Sequence, residues 1–317
     1  MKFKNRITTA GVLAALAFFG CTKNPTSPDT TAGVTWTGRN SGTISKLYSV
    51  IWSGTLHAAV GYRYDSITLR DFGVVLTSLD GITWIERNSG TIAGLFSVTW
   101  AGSQFVAVGD APLYQGVILT SPDGINWVTR NSGATNSLQS VTWTGSQLVV
   151  VGQAGIILTS SDGITWIARI SGITDALYSV TWTGSQLVAV GENGAVLTSP
   201  EGINWTIRTS GTTNILVSVI KSDNQLVAVG QSGMVLTSLD GTVWTARSSG
   251  TADVLNSVTW TGDQLVVVGK YGTILTSPDG ITWAARNSGT NDWLHSVIWA
   301  GSRLVAVGDS GTILTSP

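Results

Sequence analysis

The sequence repeats itself with a period of about 39 residues, and its two ends complement each other. Each unit reads approximately L-x-S-V-T-W-T-G-S-Q-L-V-A-V-G-x-x-G-x-I-L-T-S-x-D-G-I-T-W-x-x-R-x-S-G-T. The seventh unit stops at Pro317, before its D-G-I-T-W segment, and the missing segment begins the repeat region at Gly33. Ends that together complete one unit indicate a closed ring of seven units, which open at Leu47, Leu95, Leu138, Leu177, Leu216, Leu255 and Leu294.

Each unit contains four short apolar runs separated by turn residues, which is the pattern of β-strands. In the sixth unit these runs are residues 257–260, 264–268, 273–277 and 281–286. The second run is apolar at successive positions, so both faces of its sheet must be covered. No segment after the first 20 residues has the apolar period of a helix, so we expect helices to be nearly absent.

Four strands in a unit of about 40 residues are the signature of a β-propeller. The sequence therefore predicts an all-β, seven-bladed β-propeller of four-stranded antiparallel blades over residues 33–317. The N-terminal strand should close the ring as the outer strand of the last blade, which removes exposed strand edges. An open solenoid would instead need capping units and would not need complementary ends.

The N-terminal segment resembles a bacterial lipoprotein signal peptide. Residues 1–20 begin with three basic residues and continue with an apolar run that is too short to span a membrane. Cleavage before Cys21 would leave this cysteine as a lipidated N-terminus, with residues 21–32 as a flexible tether. An ordinary secretory signal, or a lone buried thiol, is the alternative. The prediction is a lipid-anchored protein of the bacterial cell envelope, periplasmic or at the surface, held to the membrane by its anchor alone.

Composition excludes several classes of function. Cys21 is the single cysteine, so the chain has no intramolecular disulfide and no multi-cysteine metal site. Removing residues 1–20 leaves 14 basic and 18 acidic residues, which gives no electrostatic reason to expect nucleic acid as a partner. We expect no metal and no cofactor.

An S-x-D-G-x-x-W turn recurs in the units and resembles the Asp-box of sialidase-type propellers, with one residue fewer between Asp and Gly. A catalytic or calcium-binding residue has no reason to recur in each blade. The simpler interpretation is structural: Asp accepts backbone N–H groups, Gly adopts positive φ, and Trp packs beneath the turn. The residues with this role are Asp80, Asp123, Asp162, Asp240, Asp279, Trp84, Trp127, Trp166, Trp205, Trp244 and Trp283.

The longer pattern D-G-x-x-W-x-x-R-x-S-G-T resembles the propellers of the photosystem II assembly and stability factor family. The resemblance covers residues 33–317 and implies a non-enzymatic scaffold whose arginines can contact a client protein. The photosynthetic client itself is not expected for an envelope lipoprotein. The favoured interpretation is structural: each guanidinium binds backbone carbonyls at a blade edge, because the arginine recurs as regularly as the turns. The arginines, one per blade, are Arg39, Arg87, Arg130, Arg169, Arg208, Arg247 and Arg286.

Comparing the units shows which positions the scaffold leaves free. Variation is concentrated around each opening leucine and between the second and third strands, where the first two units also carry insertions. In an up-and-down blade these connections share one face, so the variable residues should surround one mouth of the axial channel. Variable loops on a rigid scaffold often carry function, and Tyr, Trp and Arg dominate binding hot spots. The candidate binding residues are Tyr48, Tyr62, Arg63, Tyr64, Arg70, Tyr114, Tyr178, Tyr271, Trp293 and His295.

The favoured function is a monomeric, non-enzymatic scaffold that binds a protein or a glycan on this face. Two alternatives remain open: drift in loops of a purely architectural envelope protein, and a glycoside-active enzyme that uses a pair of carboxylates. The sialidase arginine triad is absent, as are P-loop, G-x-S-x-G and H-E-x-x-H motifs. The carboxylates available to such an enzyme are Asp65, Asp71, Asp110, Glu192 and Asp309.

Overall fold

The computed structural model describes residues 32–66, 70–112 and 115–317, and these residues form a ring of seven four-stranded antiparallel sheets. The first four blades contain strands β2–β5 (Lys46–Trp52, His57–Asp65, Arg70–Ser78, Ile85–Asn88), β6–β9 (Gly94–Trp100, Phe105–Ala111, Gln115–Ser121, Val128–Arg130), β10–β13 (Leu138–Trp143, Leu148–Gly152, Ile157–Ser160, Ile167–Arg169) and β14–β17 (Leu177–Trp182, Leu187–Gly191, Val196–Ser199, Thr206–Arg208).

The last three blades follow the same order from inner to outer strand. They contain β18–β21 (Leu216–Lys221, Leu226–Gly230, Met234–Ser238, Thr245–Ser248), β22–β25 (Leu255–Trp260, Leu265–Gly269, Ile274–Ser277, Ala284–Arg286) and β26–β28 (Leu294–Trp299, Leu304–Gly308, Ile313–Ser316), with β1 (Thr37–Arg39) as the seventh blade's outer strand.

The predicted ring closure is confirmed by this seventh blade. Strand β1 pairs antiparallel with β28, with Thr37 opposite Thr315 and Arg39 opposite Ile313. The N–H of Gly33 also donates to the hydroxyl of Ser316, at 2.8 Å. The first and last segments of the repeat region therefore build one sheet, as their complementary sequences require.

The hydrophobic core lies between the blades. Seven clusters of buried side chains occupy the seven junctions, and each combines residues from two neighbouring blades. At the junction of blades 7 and 1, Val305, Val307 and Ile313 pack against Leu47 and Val50. Two-sided burial explains why the second strand of each unit is apolar at successive positions.

A circle of hydrogen bonds joins the inner strands. In each blade the serine of the L-x-S-V motif accepts the backbone N–H of the valine in the next blade, at 3.2–3.4 Å. The circle closes where the N–H of Val50 in blade 1 donates to the hydroxyl of Ser296 in blade 7. The recurrence of serine in all seven units is the sequence signal for this contact.

The two insertions extend strands instead of forming irregular loops. In blade 1, β3 and β4 stay paired as far as Asp65 opposite Arg70, and in blade 2, β7 and β8 as far as Ala111 opposite Gln115. In the other five blades one turn of 3-10 helix replaces this extension, and the described residues contain no longer helix. None of the described helices could cross a membrane.

His57 is a buried exception to the repeat. It begins β3, where other blades place leucine or phenylalanine, and its side chain is only 4% exposed. Its Nδ1 lies 3.2 Å from the carbonyl oxygen of Ser78, whereas its Nε2 is buried and has no hydrogen-bond partner among the described residues. Burial lowers the pKa of His57, because a charged imidazolium would lose its hydration.

We predict that His57→Leu stabilises the fold by about 1–3 kcal/mol, since it removes an unsatisfied buried nitrogen. The unfolded state takes up a proton on this histidine as the pH falls through about 6.5, whereas the folded state resists protonation. The full free energy of unfolding is therefore present above that pH and declines below it. The leucine variant should lose less of its free energy of unfolding as the pH falls. Thermal unfolding at pH 8 and pH 5 measures both effects. A less stable variant with unchanged pH dependence would contradict the assignment.

Candidate functional site

Strand register places the variable connections at one end of the ring. In blade 3 the start of the first strand, Leu138, pairs with the end of the second, Gly152. The connections that enter strand one and leave strand two therefore share one face in each blade, and we call it the variable face. The hairpins after strand one and the S-x-D-G turns after strand three form the opposite face, which we call the turn face.

Six aromatic rings form a continuous cluster on the variable face. Tyr48 lies at its centre and stacks on His295 and Tyr62, with ring centroids 4.6 and 5.6 Å apart. The edge of Phe96 meets Tyr48 at 5.7 Å. The aromatic cluster, as we name it, comprises Tyr48, Tyr62, Phe96, Tyr271, Trp293 and His295.

The cluster continues from blade 7 into blade 6. Trp293 meets His295 edge-on at 6.4 Å and meets Tyr271 at 6.2 Å. The Nζ atom of Lys270 lies 4.0 Å from the centroid of the Trp293 ring, in a cation–π contact. The aromatic surface therefore crosses four consecutive blades, 6, 7, 1 and 2, and Tyr271 is its most exposed ring, with 62% of its surface accessible.

The centre of the aromatic cluster is uncharged at neutral pH. The Nε2 of His295 lies 2.8 Å from Oδ1 of Asp309, and Lys46 Nζ approaches the same oxygen at 3.6 Å. Burial lowers the pKa of His295, although the Asp309 carboxylate opposes this effect. Burial also raises the pKa of Tyr48, and the neighbouring Tyr62, Asp309 and Asp71 raise it further. Neutral rings beside carboxylates combine apolar contact area with hydrogen-bond acceptors.

Asp110 adds a second carboxylate beside Phe96. Its Oδ2 accepts a hydrogen bond from the Ser137 hydroxyl, at 3.0 Å. Burial raises the pKa of Asp110, and the charge of Asp71 adds to this shift. The loop that enters blade 3 is thereby tied to the edge of blade 2.

Several predicted site residues lie away from this cluster. Tyr178 was expected to join one patch with the other aromatics, but its hydroxyl donates to Glu192 at 2.9 Å within blade 4. Blade 4 lies across the ring from the junction of blades 7 and 1, which explains the separation. Arg63 pairs with Glu86 at 3.5 Å, and Tyr64 is exposed.

Three predicted residues cannot be placed in the site. Tyr114 and Cys21 lie outside the described residues. Arg70 belongs to β4, but its side chain is outside the description, as is that of the candidate carboxylate Asp65.

The candidate residues did not include Phe96, Lys46 or Lys270. Phe96 follows an opening leucine, as do Tyr48 and His295, so its repeat position could have identified it. Lys270 directly precedes Tyr271, and its role depends on the distance to Trp293, which the sequence does not contain.

The turn face shows how the recurring aspartates are used. Oδ1 of Asp80 accepts the backbone N–H groups of Ile82 and Thr83, both at 2.8 Å, while Ser78 donates to the same atom. The N–H of Thr83 and then that of Ile82 lower the pKa of Asp80 to about 2. A carboxyl group with this pKa is ionised at neutral pH and cannot act as a general acid.

The same geometry recurs at Asp123, Asp162, Asp240 and Asp279. The serine of the third turn is Ser160, whose hydroxyl accepts the N–H of Gly163. In all seven blades the tryptophan that directly precedes the fourth strand donates its indole N–H to the carbonyl of the turn glycine, as Trp84 does to Gly81 at 3.1 Å.

The recurring arginines bind a different group from the one expected. In every blade the Nε of the fourth-strand arginine donates to a threonine hydroxyl of the third strand, as from Arg87 to Thr77 at 2.8 Å. The expected carbonyl partner was wrong: Arg87 pairs with Val75 in the ladder, and Thr77, two residues along the third strand, places its hydroxyl on the same face as the arginine. No group of three or more His, Cys, Asp or Glu side chains among the described residues could hold a metal ion.

Comparison with known proteins supports the fold. No family model matches the sequence, and no curated protein matches it significantly. The chain is similar to YCF48 from Cyanidioschyzon merolae, with a TM-score of 0.68 and 18% identity over 88% of this chain and 98% of that chain. A structure of YCF48 bound to D1 peptide gives a TM-score of 0.72 and 17% identity, over 91% of this chain and 98% of that one.

An enzyme shares the same architecture. Catalytically inactive virginiamycin B lyase from Staphylococcus aureus, crystallised with quinupristin, gives a TM-score of 0.77 at 10% identity, over 89% of this chain and 98% of that chain. At these identities the similarity establishes the fold. The protein is therefore a seven-bladed β-propeller, as the repeat and the resemblance to assembly-factor propellers predict.

Tyr271 occupies a backbone conformation that bulky residues avoid. Its φ is 55°, in the left-handed region, and Asn193 holds the equivalent position in blade 4 with φ 52°. Asparagine tolerates this conformation better than other residues with a Cβ. We predict that the free energy of unfolding of Tyr271→Asn is about 1 kcal/mol higher than that of Tyr271→Ala, since both lose the ring but asparagine adopts positive φ at a lower cost than alanine. Urea denaturation of the two variants tests this, and an alanine variant of equal or greater stability would contradict it.

Proposed function

We propose that this protein is a secreted, lipid-anchored and non-enzymatic scaffold that binds a protein or glycan through the aromatic cluster of its variable face. Propellers of this fold include one whose structure contains a bound peptide, YCF48 with D1 peptide, and this favours a protein partner in general. In such a scaffold the rigid ring holds the variable loops in place as a binding surface, as many repeat folds do.

The observation that carries the proposal is where the aromatic rings lie. All six occupy positions that the repeat leaves unspecified, yet they meet across three blade junctions. Drift in unconstrained loops would not be expected to retain a bulky ring in the left-handed conformation of Tyr271. Aromatic rings with limited rotamer freedom provide binding area at low entropic cost.

The first described residues of the chain lie at the turn face. The carbonyl of Ala32 accepts a hydrogen bond from Gln264, a residue of the turn-face hairpin in blade 6. The chain therefore enters the propeller on the turn face, opposite the aromatic cluster. If Cys21 carries the lipid, the point where the propeller begins lies on the face opposite the aromatic cluster, which favours a cluster that is accessible to a partner.

We predict that Trp293→Ala and Tyr48→Ala each weaken partner binding at least tenfold, since truncating a central aromatic anchor typically costs about 2 kcal/mol or more. The full-length protein would be cross-linked in envelope preparations and tested on a glycan array. Leu239→Ala is the matched control, because Leu239 is 80% exposed on the turn face.

If both aromatic variants still bind the partner or glycan and Leu239→Ala does not, the binding site lies on the turn face and the proposal is contradicted. Absence of any saturable ligand would favour the architectural alternative. Melting temperatures of the variants should separate lost binding from lost folding.

The anchor has its own test. We predict that Cys21→Ser moves the protein from the membrane fraction to the soluble fraction and removes the acyl mass at the N-terminus. Mass spectrometry of the wild-type protein and fractionation of both forms measure this. A wild-type protein that is soluble and unacylated would contradict the lipid anchor and leave the binding proposal standing.

The glycoside-active alternative has less support. Of its candidate carboxylates, Glu192 accepts from Tyr178 and Asp309 lies against His295 and Lys46. Asp110 has a raised pKa, as a catalytic acid would, and the charge of Asp71 adds to it, so these two are the pair that a glycosidase would have to use. A binding role uses the same groups as hydrogen-bond acceptors and needs no such pair.

A further inference from the structure

A second circle of contacts ties the blades together on the turn face. The glutamine of the T-G-S-Q hairpin extends to the next blade and donates its amide to the carbonyl of the S-x-D-G turn, as Gln225 does to Asp279 at 2.7 Å. Four further glutamines make this contact, and Arg303 makes it between blades 7 and 1. The junction of blades 1 and 2 is the one that departs from the rule.

Leu56 takes the place of glutamine at this junction. A Cβ built on the turn glycine Gly124 would lie 3.0 Å from Cδ2 of Leu56, just as one on Gly163 would lie 2.9 Å from the amide of Gln104. The leucine therefore occupies the same space but has no hydrogen-bond donor. The carbonyl of Asp123 therefore lacks the amide contact that its equivalents receive.

A groove lies at the same junction. It has a volume of about 510 Å³, within the range of ligand sites, and its apolar lining comprises Leu56, Leu79, Ile85 and Ile125. Leu79 is 80% exposed and Ile85 is 52% exposed, so the apolar lining is open to solvent. At this junction an apolar side chain therefore takes the position of the glutamine amide in other units. We call the cavity lined by these residues the blade 1–2 groove.

The charges at the rim restrict what can enter. The turn carboxylates of Asp80 and Asp123 border the groove, and the guanidinium of Arg87 is the one cationic group in its lining. Backbone N–H groups lower the pKa of both carboxyl groups, so both are ionised at neutral pH. Arg87 in the lining and Arg303 on the Asp80 carbonyl balance the net charge, so the two carboxylates act as local partners for a basic side chain of the ligand.

We propose that the blade 1–2 groove binds an extended segment of a protein partner. An aliphatic or aromatic side chain of that segment lies between Leu56 and Ile125, and its backbone N–H donates to the Asp123 carbonyl in place of the absent glutamine. A neighbouring lysine or arginine of the partner pairs with the rim carboxylates. This site is on the opposite face from the aromatic cluster and does not depend on the function proposed for it.

Blade 5 provides an internal control. A related groove of about 340 Å³ is lined by Leu239, Val243, Arg247 and Gln225, so it has an exposed leucine as well. Gln225 there retains its bond to the Asp279 carbonyl. The two grooves therefore differ at the hairpin position on which binding depends, which is Leu56 in blade 1 and Gln225 in blade 5.

The experiment titrates the full-length protein with a panel of acetylated, amidated peptides of the form Lys-X-X-Lys, in which X is Leu, Ile, Val or Phe. Calorimetry should show saturable binding of at least one peptide. Leu56→Gln should weaken that binding at least tenfold and raise the melting temperature, because it restores the contact between blades. Leu239→Ala, which changes the related groove of blade 5 and not the blade 1–2 groove, should bind within about threefold of the wild type.

Two modified peptides test the chemistry. N-methylation of the backbone at the central residues should weaken binding at least tenfold, and replacing both lysines by glutamate should abolish it. The proposal is overturned if no peptide in the panel saturates, or if Leu56→Gln binds as tightly as the wild type. It is equally overturned if the N-methylated peptide binds as well as its parent, since the groove would then be a non-specific apolar surface.

Discussion

The hydrogen bonds that circle the inner strands depend on every blade being in place. Each of the seven serines accepts a valine N–H from the next blade, so the circle is complete only if blade 7 reaches blade 1. Strand β1 completes the seventh sheet at its outer edge by pairing with β28. Each bond contributes about 1 kcal/mol at most, but the circle also fixes the junctions where the apolar core is buried. Closure therefore sets the position of both faces.

Much of this architecture could be predicted from the sequence, because a repeat reports the contacts that every blade shares. The number and order of the strands, the outer strand that completes blade 7 and the S-x-D-G turns follow from motifs at fixed spacing. The boundaries are less exact, since the fourth strand of the sixth unit was expected from residue 281 and begins at Ala284. Side-chain contacts within and between blades were harder to predict, since serine, glutamine and arginine look like ordinary polar positions in one unit. The arginine partner was wrong for this reason. The insertion after Tyr62 was expected as a loop, although its residues pair in register up to Arg70.

The functional inferences come from departures from the repeat. Tyr48, Trp293 and His295 could be identified from their variable positions, but their convergence depends on which blades are neighbours around the ring. Tyr178 shows the limit of that reasoning, since an equivalent position in blade 4 faces a different part of the channel mouth. Leu56 and His57 are departures within a conserved pattern, where a polar amide becomes apolar and an apolar core residue becomes titratable. In both cases the folded state lacks a hydrogen bond or buries an unsatisfied nitrogen, whereas the equivalent positions of other blades do not.

The role of β1 in closing the ring can be measured directly by thermal unfolding of two deletions. Removing residues 33–43 takes away β1 and leaves the edge of β28 unpaired, whereas removing residues 22–31 spares β1. The account predicts that the first deletion lowers the melting temperature by roughly 10 °C or more and causes aggregation, because the seventh sheet and the circle of serine contacts are both disrupted. The second should unfold as the intact protein does. A protein without residues 33–43 that remains monomeric and equally stable would contradict closure by the N-terminal strand.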